Sequence, residues 1–221
     1  SSPHPDLLWA IETVTWSEQY LLDGVRVLAR LTELEPGGKS GNRPASSLAA
    51  ILCGWVRNTG APLATRLQAL DVAFGVSDDV GWKLVFELWP SKHGWVMPPA
   101  APHIRDDWRP ISSSLPMSEW SAFAQGLIDR AIEHAGTSPR RLRKLVSGLT
   151  SIAPTDRDRV LTYLEDVSRD DVLDDDARLE LWDKVQAVVA RHERFATADW
   201  AMPAEVLDRL KTLAAALEPS S

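Results

Sequence analysis

EQYLLDGVRVLARLTEL, residues 18–34, is the stretch that shows most clearly how this chain folds. Its apolar residues recur every three or four positions, so they fall on one face of an α-helix. These residues are Leu21, Val25, Leu28, Leu31 and Leu34. Pro36, Gly37 and Gly38 follow directly and end the helix, because proline and glycine disfavour its continuation. The stretch therefore predicts one amphipathic helix with a buried face.

Helical spacing of this kind extends through almost the whole chain, whereas the alternation typical of β-strands is not sustained anywhere. We predict ten helices, which begin near Asp6, Ser17, Ser46, Pro62, Ser77, Ser118, Ser138, Thr155, Asp174 and Pro203. Ten helices in 221 residues make pairs of about 44 residues, a length typical of HEAT and armadillo repeats. The sequence therefore predicts an all-α fold, a HEAT/armadillo-like helical-repeat solenoid, with an irregular helical bundle as the alternative.

One segment lacks this helical spacing and divides the chain into three parts. Residues 91–116 form a loop rich in proline and tryptophan, and loops of this length are usually functional. Helical repeats are predicted on either side of it, over residues 1–90 and 117–221. We expect the three parts to form one continuous domain.

The composition is that of an ordinary globular protein, with 44% hydrophobic and 25% charged residues. The net charge of −7 argues against a general affinity for nucleic acids. The longest apolar run, residues 48–56, is too short to cross a membrane. Cys53 lies in that run and is the only cysteine, which indicates a buried thiol in a reducing compartment. We therefore expect a cytoplasmic protein with no membrane partner, and the missing initial methionine suggests a segment of a larger protein.

The motifs of catalytic and metal sites are incomplete in this chain. The Gly-Lys-Ser sequence at 38–40 resembles the end of a phosphate-binding loop, but Glu33 stands where that loop needs a glycine. His192 lies on a helix face predicted to be charged, and with Glu193 it matches only half of a zincin motif. No two of the five histidines have the four-residue spacing that brings two metal ligands together on a helix. We therefore predict a protein without enzymatic activity, cofactor or bound metal.

A dense basic cluster opens the helix near Ser138. It consists of Arg140, Arg141, Arg143 and Lys144, on the side opposite an apolar stripe. Such a cluster is a candidate site for phosphate groups. The interpretation we prefer is a solvated helix face, because the protein as a whole is acidic.

Two tryptophans in the proline-rich loop are the second candidate binding surface. Trp95 and Trp108 lie there with Arg105 and Arg109, and tryptophan and arginine are enriched at binding hot spots. A competing interpretation is that this loop folds back over helix ends and buries both indoles. Most other tryptophans lie on or beside apolar stripes and are interpreted as core and inter-helix packing: Trp9, Trp16, Trp55, Trp82, Trp89, Trp120 and Trp182.

Several short stretches in the first half of the chain resemble a helical region of large bacterial multidomain proteins. They are residues 7–12, 42–44, 47–48, 55, 81–84, 88–90 and 107–108. The region is similar to one associated with signal-transduction NTPases of the STAND type, some of which act in phage defence. The resemblance covers residues 6–110, its motifs are structural, and it includes no residues of a nucleotide-binding module. It implies a helical-repeat sensor or scaffold segment and transfers no catalytic residue.

These observations together predict a non-enzymatic segment that binds another protein or another part of its own polypeptide. The alternative is a HEAT-like enzyme that binds or processes nucleic acids. It would use the face at Arg140–Lys144, with Trp108 and Asp106 or Asp107 at the site. The acidic net charge disfavours nucleic acid as a partner.

Overall fold

The computed structural model describes residues 4–35, 43–90, 97–108, 110, 115–170 and 172–219, and within them the fold is all-α. The α-helices are α1 (His4–Val14), α2 (Glu18–Leu34), α3 (Pro44–Ile51), α4 (Leu63–Val76), α5 (Asp78–Glu87), α6 (Met117–Ala135), α7 (Pro139–Gly148), α8 (Pro154–Arg169), α9 (Asp175–Arg194) and α10 (Ala204–Leu217). A short 3₁₀ helix covers Asp106–Trp108. No β-strand and no helix long and apolar enough to span a membrane occur among the described residues.

All ten predicted helices are present, and α2 has the predicted bounds. The largest difference is in α3, which ends at Ile51 although the apolar pattern continues to about Trp55. The carbonyl of Cys53 accepts a hydrogen bond from the Arg66 Nη2 at 2.8 Å, which fixes the backbone just beyond the end of α3. Cys53 itself is buried, as the sequence predicts. The solenoid arrangement of the helices stays a prediction.

The chain divides into two compact units. Unit 1 comprises the described residues of Ser1–Trp89 and His93–Leu127, and unit 2 those of Pro90–Lys92 and Ile128–Ser221. The predicted segment limits at residues 90 and 116 stay predictions.

In unit 1, α2 packs against α1, α3, α4 and α5. Its buried side chains are Leu21, Val25, Leu28 and Ala29, so three of the predicted apolar positions lie in the core. Leu34, which the sequence predicted on the same stripe, is 64% exposed and lies outside this core.

In unit 2, α9 packs against α7 and α10, and α10 also packs against α8. The core consists of aliphatic side chains from all four helices, among them Leu142, Leu145, Val160, Leu161, Leu164, Leu181, Val185, Leu210 and Leu213. The apolar stripe predicted opposite the basic cluster of α7 is thus buried.

The tryptophans predicted to pack in the core differ in exposure. Trp16, Trp82 and Trp89 are buried, but Trp9 is 51% exposed, so its assignment to the core is wrong. Helix α1 buries the neighbouring position Leu8, and the next residue of a helix lies about 100° further round its axis. Trp9 therefore lies to the side of the buried face.

Candidate functional site

The described part of the proline-rich segment is fixed to α1 by the backbone of one residue, Ala100. The Glu12 Oε2 accepts a hydrogen bond from the Ala100 amide at 2.7 Å, and the Trp16 indole donates to the Ala100 carbonyl at 2.9 Å. The other oxygen of the buried Glu12 carboxylate accepts a hydrogen bond from the Ser47 hydroxyl at 2.5 Å. The side chains of Glu12 in α1 and of Trp16 just after α1 thus satisfy both backbone groups of Ala100, which sets the path of the segment.

Further along this segment, Trp108 lies beside the first turn of α2. Its ring meets Tyr20 edge-on with the centroids 6.0 Å apart, and the Arg105 guanidinium lies 4.7 Å from the Trp108 ring centroid. Asp107 holds Arg105 through two hydrogen bonds of 2.7 and 2.9 Å, and Arg105 in turn lowers the pKa of the Asp107 carboxyl. The Trp108 indole is half-buried, which agrees in part with the interpretation that this loop folds back over helix ends and buries its indoles. Trp95 and Arg109 lie outside the described residues.

Helix α2 carries an exposed apolar stripe on the side away from its core residues. Tyr20, Val27 and Leu34, which we call the apolar face, are spaced seven residues apart, and residues with this spacing share one side of a helix. Leu7, Trp9 and Val14 on α1 are also exposed. Val27 was not among the residues predicted from the sequence, although its seven-residue spacing from Tyr20 and Leu34 is a visible signal.

A buried ion-pair network lies where α4 meets the start of α6. Arg66 is 1% exposed, and its guanidinium contacts the Glu119 Oε1 at 3.3 Å and lies 4.7 Å from the Phe123 ring centroid. Arg57 donates a hydrogen bond to the other Glu119 oxygen. Burial lowers the pKa of Arg66, and the Glu119 carboxylate opposes this effect. Glu119 therefore compensates a charge that the fold has removed from water.

The residues of the basic cluster predicted on α7 differ in their exposure to solvent. Arg140, Arg143 and Lys144 are exposed, whereas Arg141 is half-buried and donates a hydrogen bond to the His134 carbonyl of α6 at 2.6 Å. Arg143 forms an ion pair of 2.9 Å with Glu180 of α9. The four predicted residues therefore do not share one surface.

Helix α9 extends the exposed part of this cluster. Lys184 and Arg191 lie seven residues apart on α9, and the pKa of Lys184 is lowered first by burial and then by the charges of Arg143, Arg191 and Lys144. We call Arg143, Lys144, Lys184 and Arg191 the basic face. Lys184 and Arg191 were not predicted from the sequence, because the packing of α7 against α9 is a long-range feature.

An aromatic group borders the basic face. The Arg191 guanidinium lies 5.0 Å from the Trp200 ring centroid, and Trp200 is 45% exposed. The rings of His192 and Phe195 contact Trp200 with centroid separations of 5.3 and 5.7 Å. Trp200 was not predicted as a site residue from the sequence, because it lies between helices and outside any apolar stripe.

His192 is 2% exposed, so its prediction on a charged helix face is wrong. The chain after α9 turns back over this position, and the Met202 amide donates a hydrogen bond of 3.1 Å to the His192 Nδ1. Burial lowers the pKa of His192, and the charges of Arg191 and Arg157 act in the same direction. The neutral imidazole is therefore the form that the fold stabilises.

Acid should destabilise the protein through His192. Above pH 6.5, the ordinary pKa of histidine, the group is neutral in both states and its hydrogen bond contributes fully. As the pH falls below 6.5, the unfolded chain binds a proton that the folded chain resists, so stability is lost until the lower folded pKa is reached. We expect a loss of up to about 1.4 kcal/mol per pH unit in urea denaturation between pH 7.5 and 5. His192→Asn, which keeps an acceptor but does not titrate, should remove this part of the pH dependence, and an unchanged profile would contradict the assignment.

Among the described residues, no group of three or more His, Cys, Asp or Glu side chains is placed to hold a metal ion. A cavity of about 550 Å³ lies beside α2, α3 and α5, and its walls include Glu35, Arg43, Lys83 and Glu87. Glu35 and Arg43 neutralise each other in an ion pair of 2.9 Å.

No protein-family model, curated protein or solved structure matches this chain.

Proposed function

We propose that this chain is a non-enzymatic interaction module that binds a helix of a partner protein through the apolar face of α2. The observation that supports the proposal is the exposure of Tyr20, Val27 and Leu34 at seven-residue spacing on a helix whose other side is core. Exposed apolar side chains aligned along one side of a helix are typical anchors for a partner helix. Covering a leucine-sized side chain completely contributes about 1.5–3 kcal/mol, so three partly exposed side chains offer a useful share of a binding energy.

The shape of the stripe favours a helix as the partner. Side chains at seven-residue spacing lie along one side of a helix, where they can serve as anchors for another helix. The 14 steps from Tyr20 to Leu34 span about 21 Å at 1.5 Å per residue, or about four helical turns. We therefore expect a partner helix of at least this length with apolar residues at matching positions.

The packing of α2 beneath the apolar face also favours binding. Leu21, Val25 and Leu28 anchor α2 in the core of unit 1, so little conformational freedom is lost when its outer side is covered. Trp108 and Arg105 lie beside Tyr20 at the start of the stripe, and both residue types are frequent at hot spots. They would form the polar end of the interface.

The HEAT-like repeat arrangement remains part of this proposal, since repeat proteins present long exposed surfaces to partners. The resemblance to helical regions of STAND-type NTPases would make the partner another segment of a longer polypeptide. The proposal does not depend on either point, because it rests on the apolar face alone.

Site-specific photo-crosslinking tests the proposal. A photoreactive amino acid at position 27 should give one discrete protein adduct in cells of the source organism. The matched control is position 179 in unit 2, because Leu179 and Val27 are exposed to nearly the same fraction, 46% and 47%. The captured protein would then be purified and its binding measured by calorimetry. No adduct at 27, or equal adducts at 27 and 179, would refute the proposal.

Charge on the apolar face should abolish this binding. Val27→Glu combined with Leu34→Glu places two carboxylates where apolar contact is needed, and we expect the Kd for the captured partner to rise at least about 100-fold. Both positions are exposed, so the thermal stability of the free protein should change little. The control Val172→Glu with Leu179→Glu puts the same charges on exposed positions of unit 2 and should leave the Kd unchanged.

A further inference from the structure

We propose that the basic face and Trp200 form a binding site for single-stranded nucleic acid in unit 2. Phosphates would contact Lys144, Lys184 and Arg191, and one base would stack on the exposed side of the Trp200 indole. This inference is independent of the proposed function, because it concerns different residues in a different unit.

Electrostatics is the first argument for the site. The fold brings cations of α7 next to cations of α9, and their mutual repulsion contributes to the lowered pKa of Lys184. A phosphate group bound among them would relieve this repulsion. The Arg143–Glu180 ion pair at the margin is half-exposed on both sides, and exposed pairs of this kind are weak enough to exchange for a phosphate.

Among the described residues of α9, two acidic groups flank the basic face in sequence. Glu193 on α9 pairs with Lys211 of α10 at 2.7 Å, away from Lys184. Asp183 follows Trp182 on α9 and is exposed next to Lys184 in sequence. The site is therefore basic locally while the whole chain carries a net charge of −7, so we expect modest affinity that is strong only at low salt.

The dimensions fit a short single strand. Lys184 and Arg191 are about 10 Å apart along α9, so each can contact a different phosphate of the same strand. A duplex would present the same phosphates, but its bases are stacked on each other and cannot reach an indole. Trp200 distinguishes these cases, since an exposed aromatic ring beside cations is the arrangement that binds unstacked bases.

Fluorescence anisotropy with a labelled dT20 strand tests the inference on the intact chain. Binding should be detectable in 20 mM salt, and the logarithm of the binding constant should fall with the logarithm of salt with a slope of about −2, as for three phosphate contacts. The duplex of the same length and inorganic polyphosphate should each bind at least about fivefold more weakly, because neither offers a free base.

Single substitutions test whether the basic face and Trp200 form the binding site. Lys184→Gln should reduce the salt slope by about 0.7, the contribution of one phosphate contact on a single strand. Trp200→Ala should weaken dT20 binding about 5- to 100-fold and leave the salt slope unchanged. The matched controls are Trp9→Ala, since Trp9 is about as exposed as Trp200, and Lys83→Gln, an exposed lysine of unit 1. Both controls should bind as the wild type does.

Four results would overturn the inference: no binding in 20 mM salt, equal or tighter binding of the duplex, equal binding of polyphosphate, or equal losses in the control variants. Equal binding of polyphosphate would mark a simple anion site. Because Trp200 contacts His192, far-UV circular dichroism should accompany each variant. If Trp200→Ala unfolds, the weaker binding of the duplex and of polyphosphate, together with the change in salt slope for Lys184→Gln, still decides the question.

Discussion

Replacing Glu119 with alanine is expected to lower the free energy of unfolding by about 3–5 kcal/mol, because it leaves the buried charge of Arg66 without its counter-ion. Arg66 keeps its hydrogen bond to the Cys53 carbonyl and its contact with the Phe123 ring, but neither carries a negative charge. Arg57 loses the same partner at a more exposed position, where the loss costs less. Urea denaturation followed by circular dichroism measures the effect.

A double-mutant cycle separates the charge from the packing. Arg66→Met removes the buried charge and fills similar space, so Glu119→Ala should cost much less in the Arg66→Met background than in the wild type. The expected coupling is at least about 1.5 kcal/mol. A cost of Glu119→Ala below about 1 kcal/mol, or additive effects of the two substitutions, would show that the network does not stabilise unit 1.

The second large effect is expected at Glu12, where alanine should lower the free energy of unfolding by about 2–4 kcal/mol. The substitution removes the acceptor of both the Ala100 amide and the Ser47 hydroxyl, and hydrogen bonds to a charged group are worth about 1.5–3 kcal/mol each. The proline-rich segment should then detach from α1. Hydrogen exchange measures this directly, because the Ala100 amide should lose its protection.

Glutamine at position 12 is the matched control. Its carbonyl can accept from the Ala100 amide while its amide donates to Ser47, so we expect a loss of less than about 1 kcal/mol and a protected Ala100. If Glu12→Gln and Glu12→Ala are equally destabilising, the hydrogen bonds do not hold the segment. If neither has an effect, the segment is held by other contacts.

The helices could be predicted from the sequence because their signal is local. Apolar spacing, prolines and cap residues lie within one helix length, and this information located all ten helices. The end of α3 could not be predicted in the same way. The backbone just beyond this end is held by Arg66, which lies 13 residues beyond Cys53 and donates a hydrogen bond to its carbonyl.

Which side of a helix is covered is a property of the packed fold, and predictions of exposure were correspondingly less accurate. Leu34 and Trp9 are apolar and were assigned to the interior, yet no neighbour covers them fully. His192 was assigned to the surface, yet the chain around Met202 buries it. In each case the deciding contact comes from another element, and hydrophobic periodicity carries no information about it.

The candidate surfaces show the same limit. The sequence singled out Arg143, Lys144 and Trp108, but the residues that complete their surroundings are distant in sequence. Tyr20 lies 88 positions before Trp108, and Lys184 lies 40 positions after Lys144. Only the fold brings these groups together, and a single sequence gives no record of such pairings.

Hydrogen–deuterium exchange of the chain, free and bound to the protein captured at position 27, tests the central claim most directly. Partner binding through the apolar face should slow exchange in α2, between Tyr20 and Leu34, and leave α7 and α9 unchanged. Slower exchange confined to unit 2, with α2 the same in both states, would contradict the claim that this protein recognises its partner through α2.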